Sequence, residues 1–214
     1  MSYFDEIARE KKQTIKFTSM ATGISVEFPA FIKSFSDDFK IGWGGGTNFG
    51  RVDPIKHYQS TTRNISATFD IVARNKEIAA QNFQQYTQLI RMTYPAYGPP
   101  IGGANKVRTI KAAPLFRIRY GNYISSPTDE NGLLGCFQGV TFNPDFNAGH
   151  FLSADGDLLP LIYSLAFSFE PLHEAPLGFD ADSSAWIGES EFPYKQDVLA
   201  PAQSMSANPD DGEE

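Results

Sequence analysis

Between Thr62 and Val72 the side chains alternate: Arg63, Ile65, Ala67, Phe69 and Ile71 fall on one face, and Thr62, Asn64, Ser66, Thr68 and Asp70 on the other. A period of two predicts an antiparallel strand with one face buried and one wet. The same alternation recurs in Leu115–Ile124, Leu133–Phe142 and Leu158–Glu170, the last placing Tyr163, Leu165, Phe167 and Phe169 together, and a short strand is expected at Thr14–Phe17. Ile24–Lys40 carries two periods. Phe28, Phe31, Ile32, Phe35 and Phe39 fit one helical face, but Pro29 would fall inside that helix, and Ile24, Val26 and Phe28 alternate as in a strand. The segment has no Leu and one Ala, so it reads as one long strand, on the order of 55 Å at about 3.3 Å per residue.

One segment has a clear helical period. Asn75 is a suitable N-cap for a helix over Lys76–Thr93, with Ala79, Phe83, Tyr86, Ile90 and Tyr94 forming an apolar stripe and Pro95 ending it. Gly42-Trp43-Gly44-Gly45-Gly46 predicts a loop running to about Ser60, Ala96–Val107 a second Gly/Pro-rich loop, and Ser125–Asn131 a turn. Five or six strands and one helix make the chain mainly β with one helix (α+β), an antiparallel sheet or barrel that the helix covers.

Composition agrees with the β reading: of 214 residues, 18 are Phe and nine are Tyr, and aromatics suit pleated, half-buried surfaces. Charge divides the chain. The net charge is −7, yet residues 1–172 hold 17 bases and 15 acids, a balance of +2, whereas residues 173–214 hold only Lys195 against ten acids, a balance of −9. The expected organisation is a folded unit over 1–172, an extended acidic arm over 173–200 anchored by Trp186, Phe192 and Tyr194, and a disordered tail over 201–214. A chain this short of clustered bases is not a general nucleic-acid binder. No apolar run approaches the roughly 20 residues that span a bilayer, and the first residues lack the pattern of a signal peptide. A single cysteine, Cys136, points to synthesis in a reducing compartment.

Candidate chemistry is weak throughout. The Gly42–Gly46 run lacks the Lys-Ser or Lys-Thr pair and the helix start that a phosphate loop needs. His57, His150 and His173 have no zinc spacing, and Asp37-Asp38 and Asp155-Gly156-Asp157 are adjacent in sequence, not opposed across a cleft. Asn64-Ile65-Ser66 lies within a strand, so its glycosylation pattern carries no weight. The residues therefore predict no enzyme, no cofactor and no metal.

One stretch is more specific. Phe49-Gly50-Arg51-Val52-Asp53-Pro54-Ile55, then Tyr58, Thr61-Thr62-Arg63, a helix closing on Tyr94-Pro95-Ala96-Tyr97, and Pro114-Leu115-Phe116-Arg117-Ile118 follow in order. This resembles the baseplate hub and tail-tube-initiator proteins of contractile-tailed bacteriophages, over about residues 24–195. Phe28–Lys40 is similar to that family's long strand, and Phe169–Gly178 with Phe192-Pro193-Tyr194 to its C-terminal portion. The resemblance implies a tail-tube-type β-barrel with long strands, and a virion structural protein that forms or caps the first ring of the tail tube. It implies a homo-oligomeric ring, usually a hexamer, with other hub and tail-tube proteins as partners, genomic DNA only as passing cargo, and no membrane. It also implies assembly in the bacterial host cytoplasm. Arg51, Asp53 and Arg63 are then candidates for ordering the 49–55 loop or meeting a neighbouring subunit, and Trp43 and Phe49 for loop anchors at such an interface. Two alternatives stay open: another wedge or hub position, and a β-sandwich module that binds a carbohydrate or ligand through Trp43 and Tyr97, with calcium at Asp155 and Asp157.

Overall fold

A computed structural model of the chain describes residues 14–29, 31–47, 49–50, 52–101, 107–126, 129–152, 156–189 and 192–195. Among these residues, eleven strands and one helix follow in chain order: β1 (Thr14–Ser19), β2 (Ser25–Pro29), β3 (Phe31–Gly46), β4 (Ile55–Val72), α1 (Lys76–Met92), β5 (Ala96–Tyr97), β6 (Ile110–Ala112), β7 (Phe116–Tyr120), β8 (Leu133–Pro144), β9 (His150–Leu152), β10 (Leu158–Pro160) and β11 (Ile162–Pro171). Seven of them form one antiparallel sheet in the order β2-β1-β7-β8-β11-β4-β3, and β5–β6 and β9–β10 are separate two-stranded ribbons.

The two outermost strands, β2 and β3, are consecutive in the chain and separated only by residue 30. That connection brings the two ends of the sheet together. Phe17 on β1 and Phe69 on β4 stack with ring centroids 6.4 Å apart. Four strand spacings of about 4.8 Å would hold them roughly 19 Å apart in a flat sheet, so the sheet is curled around its own apolar face. No hydrogen-bonded ladder joins β2 to β3 among the described residues, and the architecture is a curled open sheet instead of a closed barrel. Among the described residues the fold is mainly β with a single helix, as the sequence predicts.

Inside the curl lies one continuous core that includes Ile15, Phe17, Phe28, Ile65, Phe69, Ile71, Phe116, Ile118, Leu165 and Phe169. Phe17, Phe28, Phe69 and Phe167 meet at 5.6–6.4 Å, the Phe17–Phe69 pair stacked and the others edge-on or tilted, geometries that aromatic quadrupoles favour. Each such ring buried contributes about 2–3 kcal/mol of transfer free energy. The inward sets on β4 and β11 are those the alternation predicts.

Three segments depart from expectation. The long strand over 24–40 is divided at residue 30, and its second half runs on to Gly46. The glycine run Gly42–Gly46 is strand and not loop: Gly44 opposes His57 and Gly46 opposes Ile55, past a bulge between Gly42 and Trp43. Strand propensity depends on context, and here β4 begins at Ile55 and supplies the partner that glycine lacks alone, leaving a connection of only 47–54. In α1 the buried side chains are Ala79, Asn82, Leu89 and Met92, with Tyr86 packed on the core from a half-buried position, while Tyr94 is exposed beyond the helix end. The buried face is thus rotated from the predicted stripe. The Asn75 cap forms as expected, its Oδ1 accepting the Ile78 N–H at 2.8 Å, and the Tyr163 hydroxyl ties the helix to the sheet by donating to the Asn82 carbonyl at 3.0 Å.

Candidate functional site

Arg63 occupies the last inward position of β4 before the sheet ends, on the same face as Ile65 and Phe69. A guanidinium there must be paired, because an isolated buried charge is costly. Asp37, on β3 one pair along, provides the carboxylate: Arg63 Nε donates to its Oδ1 at 2.9 Å and Nη2 to its Oδ2 at 2.6 Å. Both side chains are 3% exposed. The second layer over this pair is the segment 192–195. Tyr194 donates its hydroxyl to Asp37 Oδ2 at 3.0 Å, and Arg63 Nη2 reaches the Pro193 carbonyl at 3.4 Å. Phe39, Phe192 and Tyr194 place their rings 5.3, 5.5 and 5.9 Å from the guanidinium carbon, a cation–π cage that replaces part of the lost hydration. Trp186 stacks on Phe192 at 5.7 Å and itself meets Phe179.

His173 borders the same cage. Its ring lies edge-on to Phe192 at 5.5 Å, and its Nδ1 is buried with no hydrogen-bond partner among the described residues. Burial first, and then the Arg63 charge, hold its pKa below the usual histidine value, with Asp37 opposing them. The Tyr194 phenol is pushed up by burial and by its bond to Asp37. A second buried arginine, Arg117 on β7, pins the chain at both ends of the 129–174 region: Nε lies 3.1 Å from Asp129, and Nη2 donates to Glu174 at 2.8 Å. Both clusters use their charges to hold loops against the sheet.

Past Arg63 the β3–β4 pair leaves the body. β11 pairs with β4 only as far as Ile65, whereas β3 and β4 remain paired to Gly46–Ile55. The eight residues of β4 from Ile55 to Thr62 therefore form an arm of about 27 Å with β3, at about 3.4 Å per residue. Ile41, Trp43, Ile55 and Tyr58 lie exposed along it, and Phe49 and Val52 are fully exposed near its tip. Trp43 and Tyr58 meet edge to face at 5.9 Å, so the arm carries a small aromatic cluster of its own.

The wet face of the same strands has the opposite character. Ser34 and Ser36 of β3, Ser66 and Thr68 of β4, Ala166 and Ser168 of β11, and Gly139 and Thr141 of β8 line one shallow depression. Its margins carry Asp38, Asn64, Asp70 and Asn143 in register with these positions, and Lys33 bridges to Asp70 at 2.8 Å. These four strands, in the order β8-β11-β4-β3, also end in two open edges. β7 pairs with β8 only over Leu133–Gly135, leaving residues 136–144 paired on one side, and β3 is the terminal strand along its whole length.

The residues singled out from sequence thus separate. Trp43 and Phe49 stand on the arm, and Asp53 lies beyond its far end, where its carboxylate makes no hydrogen bond or ion pair among the described residues. Arg51 lies outside the described residues. Arg63 does not meet Asp53; the eight strand residues Ile55–Thr62, about 27 Å, lie between them, and Arg63 pairs with Asp37 instead. Trp186, Phe192 and Tyr194 are brought together with Arg63. Asp37, Phe39 and His173 belong to that cluster as well, and the signal that could have found them was an arginine on the apolar face of a strand. Tyr97 is exposed on β5, on a different ribbon from Trp43, and Asp155 lies outside the described residues. No group of three or more His, Cys, Asp or Glu side chains among the described residues could hold a metal, and no helix there is long and apolar enough to cross a membrane.

No family model matches the sequence, and no curated protein matches it. Among solved structures, the chain is similar to a chain in the cryo-electron-microscopy structure of the anti-feeding prophage baseplate, symmetrised sixfold. The two share 9% identity over 73% of this chain and 87% of that one, with a TM-score of 0.31.

Proposed function

We propose that the chain is a structural subunit of a contractile-tail baseplate hub that forms or caps the first ring of the tail tube, as a homo-oligomer built by sheet-edge pairing. The observation that carries this reading is the pair of open edges. In the antiparallel order β8-β11-β4-β3, three steps separate the outer strands, so β3 and β8 run in opposite directions. The β8 edge of one copy set beside the β3 edge of the next therefore continues the antiparallel pattern without a break. Such a head-to-tail contact is heterologous, and it closes into a ring when the rotation allows. Closure removes the exposed edges, which are otherwise templates for aggregation.

Both faces of the strands suit that ring. The inward face is occupied by the chain's own core, and the outward face, with its serines, threonines and marginal carboxylates, suits the wall of a water-filled channel. DNA passing through such a channel would meet no basic cluster to bind. The arm extends past the body with its aromatics uncovered, placed to pack on an adjacent subunit, and aromatic anchors of that kind dominate interface energetics. The sequence resemblance to tail-tube-initiator proteins supports the same assignment. The subunit takes no catalytic part, and its partners are neighbouring copies and other hub and tube proteins of the virion.

Light-scattering mass measurement across a concentration series, together with cryo-electron microscopy of purified tails, tests this reading. The expected result is a ring of discrete mass, present at the tube–baseplate junction. A chain that stays monomeric at high concentration and is missing from particles overturns it.

A further inference from the structure

The arm has two unlike faces. Alternation from the Phe39–Arg63 pair puts Ile41 and Thr61 on one side. The Tyr58 hydroxyl donates to Thr61 Oγ1 at 2.8 Å, and Tyr58 meets the Trp43 ring, so Ile41, Trp43 and Tyr58 form one apolar face. On the reverse, the side chains of His57 and Gln59 lie across Gly44, where a Cβ would clash. The arm's strands, residues 40–46 and 55–62, hold two bases, Lys40 and Lys56, and no acid. Both lysines are exposed.

The same chain carries a surface of the complementary kind. Residues 178–187 form a small hairpin in which Phe179 bridges to Trp186. Asp180 N donates to the Ala185 carbonyl at 2.8 Å, and Ile187 N to the Gly178 carbonyl at 3.0 Å. Asp180 Oδ1 fixes the turn by accepting the Asp182 and Ser183 N–H groups at 3.0 and 2.8 Å. Phe179 and Ile187 are 70% and 51% exposed, Asp180 and Asp182 are exposed beside them, and residues 174–189 hold four acids and no base. We propose that the apolar face of the arm docks on this hairpin of a second copy of the chain. Trp43 and Tyr58 meet Phe179 and Ile187, and Lys40 and Lys56 face Asp180 and Asp182. The inference rests on the reading that copies associate, and it names the surface that receives the arm.

The receiving hairpin belongs to another copy because each chain holds its own two surfaces apart. The hairpin is fixed at the arm's root, where Trp186 stacks on Phe192 and Phe192 meets Phe39. The arm leaves that root as a continuous ladder, and Lys56 lies seven residues beyond Arg63, about 24 Å along β4. Trp43 and Phe179 are both more than half exposed, so neither covers the other within one chain. A paired ribbon and a hydrogen-bonded hairpin are already ordered, which lowers the entropic cost of their meeting. Each exposed ion pair contributes at most about 1 kcal/mol, so the aromatics carry the affinity and the charges set the orientation. Nucleic acid suits the arm less well, since two separated lysines offer few phosphate contacts. Arm and hairpin are different patches, so the contact can repeat head to tail from copy to copy, as a ring requires.

Zero-length carbodiimide cross-linking of the full chain, using a mixture of heavy-nitrogen-labelled and unlabelled protein, tests the contact alongside light-scattering mass. The expected products join Lys40 or Lys56 to Asp180 or Asp182 in peptides of mixed isotope. Their yield should fall about tenfold or more in Trp43→Ala, which keeps every reactive group while removing an anchor. Mass that rises with concentration without these cross-links overturns the contact and leaves the ring reading standing, whereas a chain that stays monomeric overturns both. Cross-links confined to a single isotope would show the arm meeting its own hairpin and overturn the proposal. So would mixed cross-links that Trp43→Ala leaves unchanged, because the aromatic face would then take no part.

Discussion

The β3–β4 pair has two halves that share one antiparallel ladder but not environment. Over Phe31–Phe39 and Arg63–Val72 the pair is flanked by β11 in the sheet and covered by the core, and Ile65 and Phe69 are fully buried. Over Lys40–Gly46 and Ile55–Thr62 the same two strands run on with nothing over them, and Ile41, Trp43 and Tyr58 are 59%, 58% and 56% exposed. Strand pairing alone supplies hydrogen bonds in both halves. Only the first half adds hydrophobic burial, and a bare two-stranded ribbon is marginal in water. The teaching is that the body stabilises itself, whereas the arm's aromatics acquire a role only against another molecule. The boundary falls at Arg63 and Asp37.

The largest effect expected on this comparison comes from the buried half. Phe69→Ala removes a ring that touches Phe17, Phe28 and Phe167, leaving a cavity that costs about 3–5 kcal/mol. Denaturant titration of dilute protein reads this as a lower midpoint, and a change near zero would mean that the sheet is not curled around that ring. At the boundary, Asp37→Ala leaves the Arg63 charge uncompensated, with an expected cost of about 3 kcal/mol. Replacing both residues by leucine should cost much less than the two single substitutions together, because no orphaned charge remains. Additive losses would mean that the pair is not the unit its geometry describes.

Much of the buried half was legible in the sequence, and the arm was not. Alternation places Ile65, Ala67, Phe69 and Ile71 inward because one face of a strand must be apolar wherever a second layer covers it. The same pattern puts Arg63 on that apolar face, which is a demand for a carboxylate, but a one-dimensional pattern does not say which. Asp37 answers it only through the β3–β4 register, in which Phe39 opposes Arg63 and Asp37 opposes Ile65. Gly42–Gly46 reads as loop because glycine has weak strand propensity, and its strand character depends on partners nine to 18 residues further along the chain, from Gly46↔Ile55 to Gly42↔Ser60. The rotated face of α1 is also tertiary in origin: the Tyr163 hydroxyl docks on the backbone carbonyl of Asn82, a bond independent of the side chain at that position, and the Asn82 side chain is buried with its Nδ2 unpartnered among the described residues, which no apolar stripe foretells.

A smaller effect at the boundary depends on pH. The folded His173 has a pKa below the ordinary histidine value of 6.5, so the unfolded chain binds its proton first as pH falls. The stability that neutral His173 contributes is complete above about pH 6.5 and is lost as pH drops from there through the lower folded value. The protonated ring would place a second cation beside Arg63, with the Asp37 carboxylate opposing that repulsion. Denaturation midpoints measured between pH 7.5 and 5 should fall more steeply in the native chain than in His173→Gln. In a background with Trp43 replaced by Phe, Trp186 fluorescence should report the segment 186–195 loosening over the same range. Parallel pH profiles for the two proteins would remove His173 from the account of this clasp.

The smallest effect on stability, and the most informative about the arm, belongs to Trp43→Ala. Trp43 meets the Tyr58 ring and no other ring among the described residues and is 58% exposed, so the dilute monomer should keep its stability within about 0.5 kcal/mol. Self-association should respond differently. If the arm packs on a neighbouring copy, loss of its largest aromatic removes an anchor, and the ring mass seen by light scattering should give way to smaller species at the same concentration. A loss of monomer stability comparable to Phe69→Ala would show that the arm folds back on its own body and would erase the division at Arg63. An unchanged midpoint with unchanged ring mass would keep the division but move the neighbour contact off the arm and onto the β3 and β8 edges. Val140→Pro on β8 then becomes the discriminating substitution: the Asp145 N–H donates to Ile162 of β11, so alternation along the uninterrupted register turns the Val140 N–H to the open edge, and proline there removes a backbone donor needed for pairing between copies.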